Sequence, residues 1–125
     1  MIGYVTLGSK DVKNAAVFYD GVLGILGAKR RMDSDGFVAW GVANGEPMLS
    51  VITPYDGSVA TVGNGTMVAL VVNTRDEVAA VYAKARELGA DDEGAPGLRG
   101  DTFYGAYFRD LDGNKVAVYT ADSFG

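Results

Sequence analysis

Two stretches of the chain place apolar residues at the spacing of an amphipathic helix. The clearer one follows Thr74, and Thr74 with Glu77 forms a capping box at its start. Gly89 stands where a left-handed C-terminal cap belongs. The other predicted helix begins near Asp11, which is a good N-cap. The predicted apolar faces are Val12, Ala15, Ala16, Tyr19, Val22 and Leu23 for this helix, and Val78, Val81, Tyr82, Ala85 and Leu88 for the clearer one.

Segments rich in β-branched and aromatic residues predict strands on both sides of each helix. They are Ile2–Gly8, Ala28–Asp33, Phe37–Ala43, Met48–Thr53, Met67–Asn73, Phe103–Arg109 and Lys115–Ala121. Asp35-Gly36, Asn44-Gly45 and Asp112-Gly113-Asn114 are turn signals between neighbouring strands. Residues 94–102 are rich in glycine and contain a proline, so they predict a long loop.

The second half of the chain repeats the first. An offset of 63 residues pairs Val5 with Val68 and Tyr19 with Tyr82, and the order of predicted elements matches as well. We therefore expect one α+β domain over residues 1–125, with β-α-β-β-β repeats of about 1–54 and 66–125 joined by a glycine-rich connection. One helix covers one face of a sheet, so the other face must meet the second repeat, a partner or a ligand.

Composition excludes several classes of function. The chain has 125 residues, 11 Lys and Arg against 16 Asp and Glu, and a formal charge of −5, so we expect no nucleic-acid partner and no anionic membrane. It has no cysteine and no histidine, which excludes disulfides, thiolate sites and a Ser-His-Asp triad. The longest apolar run, Met67 to Val72, is far shorter than the roughly 20 residues of a membrane span, and no leader pattern is visible. A cytoplasmic location is predicted.

The chain resembles the vicinal oxygen chelate superfamily, which includes glyoxalases, bleomycin-resistance proteins and extradiol dioxygenases. The residues that carry the resemblance are Ile2-Gly3-Tyr4-Val5-Thr6-Leu7, Ala16-Val17-Phe18-Tyr19-Asp20, Gly94-Ala95-Pro96-Gly97-Leu98-Arg99 and Phe108-Arg109-Asp110-Leu111-Asp112-Gly113-Asn114-Lys115-Val116. The resemblance covers essentially the whole chain. It implies that the two repeats form a curved, barrel-like mixed sheet with the helices on its outer face.

The resemblance also implies where a metal ion would bind. Relatives that bind metal carry His in the first strand, where this chain has Tyr4, and His or Gln at the start of the fifth strand, where it has Met67. They carry Glu in the last strand, where it has Ala117, and the fourth-strand ligand falls near Leu49 or Ser50. None of these is a good ligand for a divalent ion of the glyoxalase type. We therefore expect no metal and no cofactor.

A ligand cleft is expected on the side of the strands that faces away from the helices. Strand alternation puts Tyr4 opposite the helix-facing Val5, and puts Ala117 and Tyr119 on one face of the last strand. The resemblance places the loop that holds Arg99 beside the cleft, where its guanidinium could bind an anion. The candidate ligand-binding residues are Tyr4, Trp40, Met67, Arg99, Tyr104, Tyr107, Ala117 and Tyr119.

Each candidate also has a structural interpretation. The aromatic residues and Met67 could be core or dimer contacts, and Arg99 could be a solvated loop cation. A rim salt bridge is expected for Lys115. Residues 110–114 resemble a calcium loop but lack its later acidic ligands, so a β-turn is predicted.

These observations favour a metal-free protein that binds a small apolar or aromatic molecule in a cleft, and the negative net charge would also suit a cationic ligand. The alternatives are a superfamily enzyme, lyase- or dioxygenase-like, that is metal-independent or uses an unrecognised site, and an interaction module. No catalytic residue can be assigned, and metal-dependent glyoxalase or dioxygenase activity is disfavoured. A homodimer is expected, because cyclic dimers are the commonest oligomers.

Overall fold

The computed structural model describes residues 1–122, and it contains two four-stranded sheets with one helix for each. The elements are β1(Tyr4–Gly8), α1(Val12–Gly24), β2(Lys29–Ser34), β3(Phe37–Gly41), β4(Met48–Ile52), β5(Val68–Val71), α2(Arg75–Glu87), β6(Asp91–Arg99), β7(Phe103–Arg109) and β8(Lys115–Ala121). The N-terminal sheet has the strand order β1-β4-β3-β2, and the C-terminal sheet has the order β5-β8-β7-β6. The α+β class and the two β-α-β-β-β repeats are confirmed.

The two sheets have the same mixed topology. β1 pairs parallel with β4, and β5 pairs parallel with β8, because each helix carries the chain across its sheet. All other strand pairs are antiparallel. β1 and β5 are therefore outer edges of their sheets. No helix within residues 1–122 is both long and apolar enough to cross a membrane.

Both predicted helix starts are confirmed. The Asp11 carboxylate accepts a hydrogen bond from the backbone N–H of Asn14 at 3.1 Å. The Thr74 hydroxyl oxygen accepts the N–H of Glu77 at 3.1 Å and donates to the Glu77 carboxylate at 3.2 Å. Gly89 follows α2 with φ of +106°, a conformation that only glycine adopts easily.

The loop predicted over residues 94–102 is largely wrong. β6 extends from Asp91 to Arg99 and pairs antiparallel with β7, with register shifts on both sides of Gly94. β6 is one of the two edge strands of its sheet. At an edge, bulges are common, and a proline such as Pro96 costs no ladder bond on the solvent side. The glycines and the proline interrupt this strand without ending it. Composition alone cannot distinguish such a strand from a loop.

The core lies between the helices and the sheets. Alternate residues of the central strands, such as Leu49 and Val51 of β4 and Val116 and Val118 of β8, are buried in it. Burial of each such side chain contributes roughly 1.5–3 kcal/mol. α1 packs against α2, and the ring of Phe18 in α1 lies 6.3 Å from that of Phe108 in β7. One continuous core therefore joins the two repeats.

A buried carboxylate adds a polar joint between the repeats. Asp110 is 5% exposed, and its carboxylate accepts four hydrogen bonds: from the Tyr19 hydroxyl at 2.7 Å, the Asn114 side-chain amide at 3.0 Å, and the backbone N–H groups of Asp112 and Asn114 at 2.9 Å each. The Asn114 amide also donates to the Gly8 carbonyl at the end of β1, at 3.0 Å. The segment 110–114 is thus the predicted β-turn, and its buried carboxylate is engaged by protein donors.

We predict that Tyr19→Phe lowers the free energy of unfolding by roughly 1.5–3 kcal/mol, because it removes a buried hydrogen bond to a charged group. Tyr82 is the repeat counterpart of Tyr19 and donates to the exposed Asp92, also at 2.7 Å. Tyr82→Phe is therefore the matched control and should cost clearly less. Urea denaturation of both variants is the measurement, and equal losses would contradict a special role for the buried joint.

The same variant should alter the response to alkaline pH. Burial, and then the neighbouring Asp110, raise the pKa of Tyr19 well above its usual value. The contribution of Tyr19 to stability is thus complete below the pKa of a free tyrosine, about 10, and is lost as the pH rises further. Tyr19→Phe should unfold less steeply with pH in that range.

Candidate functional site

Each sheet has one face that its helix does not cover, which we call the open face. Val116 and Val118 of β8 are in the core, so Ala117 and Tyr119 lie on the open face of the C-terminal sheet. Leu7 of β1 is in the core, so Tyr4 lies on the open face of the N-terminal sheet. The alternation that the sequence analysis assumed for these strands is confirmed.

The open face of the C-terminal sheet carries an aromatic patch. Tyr107 of β7 pairs directly with Ala117 of β8, and Gly105 pairs with Tyr119. The rings of Phe103 and Tyr119 stack with centroids 4.9 Å apart and an angle of 12° between planes. A Cβ atom on Gly105 would come within 2.6 Å of the Phe103 ring, so the glycine is what allows that ring to lie across the strand.

Two cations flank the next aromatic ring on this face. The guanidinium carbon of Arg99 lies 5.6 Å from the centroid of the Tyr107 ring, and the Lys115 ammonium nitrogen lies 5.5 Å from it. Arg99 folds back over its own strand and donates to the Ala95 carbonyl at 2.7 Å. A Cβ atom on Gly94 would approach the Arg99 guanidinium to 3.1 Å, so this glycine leaves the space that the guanidinium occupies. Both cations therefore make a cation–π contact with the same tyrosine ring.

The rim salt bridge expected for Lys115 is not formed within residues 1–122. The carboxylate on that side of the sheet, Glu93, instead pairs with Arg109 at 2.5 Å. Lys115 and Arg109 line a pocket of about 480 Å³, whose other wall is the segment 62–67. Period-2 alternation from Tyr107 could have placed both Phe103 and Arg109 on this face, but neither was among the predicted ligand-binding residues.

Met67 stands where two concave regions meet. It lines the pocket beside Lys115, and it also lines an apolar groove of about 430 Å³ between the edges of the two sheets. The groove is lined by Ile2, Val5, Pro47, Met48, Leu49, Met67, Val68, Ala69 and Leu70. Tyr4 lines a different pocket, of about 420 Å³, together with Met32 and Met48. Tyr4 and Met67 therefore do not share a pocket in the single chain.

The open face of the N-terminal sheet is more polar at its centre. The Tyr4 ring, 58% exposed, meets the edge of Phe37 at a centroid distance of 6.4 Å. Ser50 of β4 lies between Thr6 of β1 and Ala39 of β3 in the register of the sheet. Ser50 is fully buried, and its hydroxyl finds no hydrogen-bond partner among the residues that the structure describes.

Two of the predicted ligand-binding residues lie elsewhere, which corrects their expected position. Trp40 is 2% exposed, and its indole N–H donates to Asp20 of α1 at 2.9 Å. Tyr104 packs against the core beneath Arg75 of α2, whose guanidinium carbon is 4.9 Å from the ring centroid. Both side chains point to the helix-covered face because they alternate with open-face residues of β3 and β7. An aromatic residue in a late strand is therefore not a sufficient sign of the cleft.

The positions at which the resemblance implies metal ligands do not fit a divalent cation. Ala117 has no donor atom, Met67 offers only a soft thioether, and Tyr4 and Ser50 offer hydroxyl groups. In the part of the chain that the structure describes, no three His, Cys, Asp or Glu side chains lie close enough together to hold an ion. We therefore derive no chemistry through a metal at this site.

Comparisons with known proteins agree with this fold. The family model described as glyoxalase/bleomycin resistance protein/dioxygenase superfamily matches residues 1–118. A glyoxalase/bleomycin resistance protein from Albidiferax ferrireducens T118 is 29% identical, with a TM-score of 0.88, over 96% of this chain and 98% of that one. Among curated proteins, none matches the chain.

More distant solved structures share the fold alone. A lactoylglutathione lyase from Agrobacterium tumefaciens is 21% identical, with a TM-score of 0.71, over 96% of this chain and 92% of that one. The fosfomycin resistance protein FosX from Mesorhizobium loti is 16% identical, with a TM-score of 0.69, over 97% and 91% of the two chains. One fold thus carries proteins whose names state different activities.

We predict that Ser50→Ala leaves the free energy of unfolding unchanged or raises it by about 1 kcal/mol, because it removes a buried hydroxyl without a partner. Ser9→Ala is the matched control. Ser9 is also buried, but its hydroxyl oxygen accepts the backbone N–H of Asp11 at 3.1 Å, so this variant should lose about 1 kcal/mol. Urea denaturation distinguishes them, and a comparable loss in both would mean that Ser50 has a partner in solution.

Proposed function

Because the chain belongs to the glyoxalase/bleomycin resistance protein/dioxygenase superfamily, we propose that it binds a small apolar or aromatic molecule on its open faces without a metal ion. The observation that carries the proposal is the aromatic patch of the C-terminal sheet. Tyr107 and the stacked Phe103 and Tyr119 lie around the buried side chain of Ala117, and their half-buried rings offer an apolar surface to a flat ligand. Of the predicted ligand-binding residues, Tyr4, Met67, Arg99, Tyr107, Ala117 and Tyr119 remain in this proposal.

The chemistry of the donor set supports binding over metal-dependent catalysis. The implied ligand positions hold Tyr4, Met67 and Ala117, and this combination offers no carboxylate or imidazole to a cation. Sequestration of a molecule needs only complementary contacts, which aromatic rings and a few polar groups supply. A cytoplasmic location, with neither nucleic acid nor membrane as partner, is part of the same proposal.

The proposal also includes a homodimer. The outer edges of both sheets, β1 and β5, and the residues just before them expose apolar side chains. Ile2 is 54% exposed, Met67 is 42% exposed and Val71 is 64% exposed. Edge strands with exposed apolar side chains and unpaired backbone groups favour pairing with another chain. A second copy of this chain fits, because each chain offers two such edges and a cyclic dimer covers equivalent surfaces.

We predict that Ala117→Trp abolishes binding of a neutral aromatic probe, 2-naphthamide, because the indole would displace the surrounding rings and cover the surface that they present. Titration followed by nuclear magnetic resonance should shift the amide signals of β7 and β8 in the parent protein and leave them unshifted in the variant. Ala83→Trp, on the exposed side of α2, is the control and should bind as the parent does. Thermal unfolding of each variant checks that the fold is retained. Undiminished binding to Ala117→Trp would place the ligand elsewhere.

Light scattering at micromolar concentration should give about 26 kDa, twice the chain mass of 13.1 kDa. Val71→Lys should shift the mass toward that of the monomer, because a charge would be buried at the edge of the C-terminal sheet. Val17→Lys is the control, since Val17 is 61% exposed on α1 and lies away from both edges. A parent mass near 13 kDa would reject the homodimer.

A further inference from the structure

Positive charge is concentrated on one part of a protein that is acidic as a whole. The net charge is −5, yet Arg99, Arg109 and Lys115 lie together around Tyr107. Strand β6 brings two carboxylates beside Arg109: Glu93, which pairs with it, and Asp91, which lies opposite it in the strand register. Three cations against two carboxylates leave a local excess of one positive charge on this part of the C-terminal open face, whereas the whole molecule is acidic.

The three cations differ in the hydrogen-bond and ion-pair partners that they have. Arg109 is engaged, because it pairs with Glu93 at 2.5 Å and donates to the Gly113 carbonyl at 3.2 Å. Arg99 and Lys115 have no carboxylate within 4.0 Å among residues 1–122, and Arg99 uses one N–H on the Ala95 carbonyl. Arg99 and Lys115 therefore keep donors available beside the Tyr107 ring.

One of these two carboxylates, Glu93, interacts with the neighbouring cations. The hydrogen bond from Arg109 lowers the pKa of Glu93 most, and the charge of Lys115 lowers it further. Glu93 is an anion held by a single arginine, so it does not neutralise Lys115 and Arg99 as well. A further anion, supplied by a ligand, would complete the charge balance of the face.

The shape of the C-terminal open face leaves room for an anion near Lys115. Gly94 and Gly97 leave the space in which the Arg99 guanidinium lies, since Cβ atoms there would come within 3.1 and 3.0 Å of its nitrogens. The pocket of about 480 Å³ beside Lys115 and Arg109, which Arg99 does not line, is large enough to admit a carboxylate or a phosphate group to Lys115 with its hydration. Tyr119, whose ring stacks on that of Phe103, pairs with Gly105 in the strand register. Gly105 lies two residues along β7 from Tyr107. At a rise of about 3.3 Å per residue the two regions are roughly 7 Å apart.

We infer that the ligand of this face is an organic anion, with an apolar or aromatic body on Phe103 and Tyr119 and a carboxylate or phosphate group held by Arg99 and Lys115 beside Tyr107. The inference rests on the proposed binding function and narrows its ligand class. An anionic ligand replaces the cationic ligand that the net charge alone suggested, because Arg99 and Lys115 would repel a cation. The separation of roughly 7 Å matches the length of an aromatic ring that carries an acidic group.

The test compares three probes with the same ring system: 2-naphthoate, the neutral 2-naphthamide and the cationic 2-naphthylmethylammonium. Isothermal titration calorimetry at low and at physiological salt should show 2-naphthoate binding at least tenfold more tightly than 2-naphthamide, with the cation weakest. The advantage of the anion should shrink as salt screens the charges. Inorganic phosphate, which has no apolar body, should shift the amide signals of Arg99, Tyr107 and Lys115 in nuclear magnetic resonance spectra.

The variants Arg99→Gln and Lys115→Gln should each weaken 2-naphthoate about tenfold and leave 2-naphthamide within twofold of the parent. Lys29→Gln, which removes an exposed cation from the N-terminal sheet, is the matched control and should change neither. Thermal unfolding again checks the fold of each variant.

The outcomes separate the two proposals. Equal affinities for 2-naphthoate and 2-naphthamide, both lost in Ala117→Trp, would overturn the anion inference and support the binding function. Tight binding of 2-naphthoate that Arg99→Gln and Lys115→Gln leave unchanged would also overturn the inference. Shifts caused by phosphate at Arg99 and Lys115 without binding of either 2-naphthamide or 2-naphthoate would show a site for a small anion only, and would overturn both the aromatic body of the inferred ligand and the proposed function. No response to either naphthyl probe or to phosphate would overturn both.

Discussion

The buried Asp110 carboxylate is the interaction on which the relative placement of the two repeats depends. Removing an ionised carboxylate from water costs several kcal/mol unless donors replace the lost hydration. Its donors come from Tyr19 of α1 and from the β7–β8 turn, while Asn114 of that turn also holds the end of β1. The network is complete only when the elements of both repeats meet, so it specifies where the N-terminal half sits against the C-terminal sheet. The contact between the rings of Phe18 in α1 and Phe108 in β7 stabilises the same relative placement of the two repeats.

The repeats share a backbone plan and differ in the chemistry of their open faces. The residue of β4 that pairs with Thr6 is Ser50, and the residue of β8 that pairs with Ala69, the repeat counterpart of Thr6, is Ala117. One sheet thus has a buried hydroxyl at this position and the other has a methyl group. The large rings and the cations are collected beside Ala117. The duplication supplies two equivalent surfaces, and substitution on one of them produces the candidate site.

Membership of a superfamily leaves the activity open, since the same fold supports several activities. In this chain the local features of the candidate site are the absence of a donor atom at Ala117, a tyrosine ring that two cations contact, and a glycine-rich edge strand that leaves space for the Arg99 guanidinium. Net charge averages over the whole surface, so it does not describe one face. A protein of charge −5 can still place Arg99, Arg109 and Lys115 around a single tyrosine ring.

Local interactions determined what the sequence predicted correctly. Helix caps at Asp11 and Thr74 and the turn at residues 110–114 depend on atoms a few residues apart, so their signals are readable along the chain. The alternation of β1 and β8, and with it the placement of Tyr4, Ala117 and Tyr119, also followed from the pattern of core residues. The tertiary structure alone decided that the glycine-rich β6 is a strand, that Trp40 and Tyr104 point toward the helices, and that Lys115 lies over Tyr107. Those outcomes depend on the register between strands that are distant in sequence. A shift of one residue in that register exchanges the two faces of the sheet, and the local sequence does not encode the register.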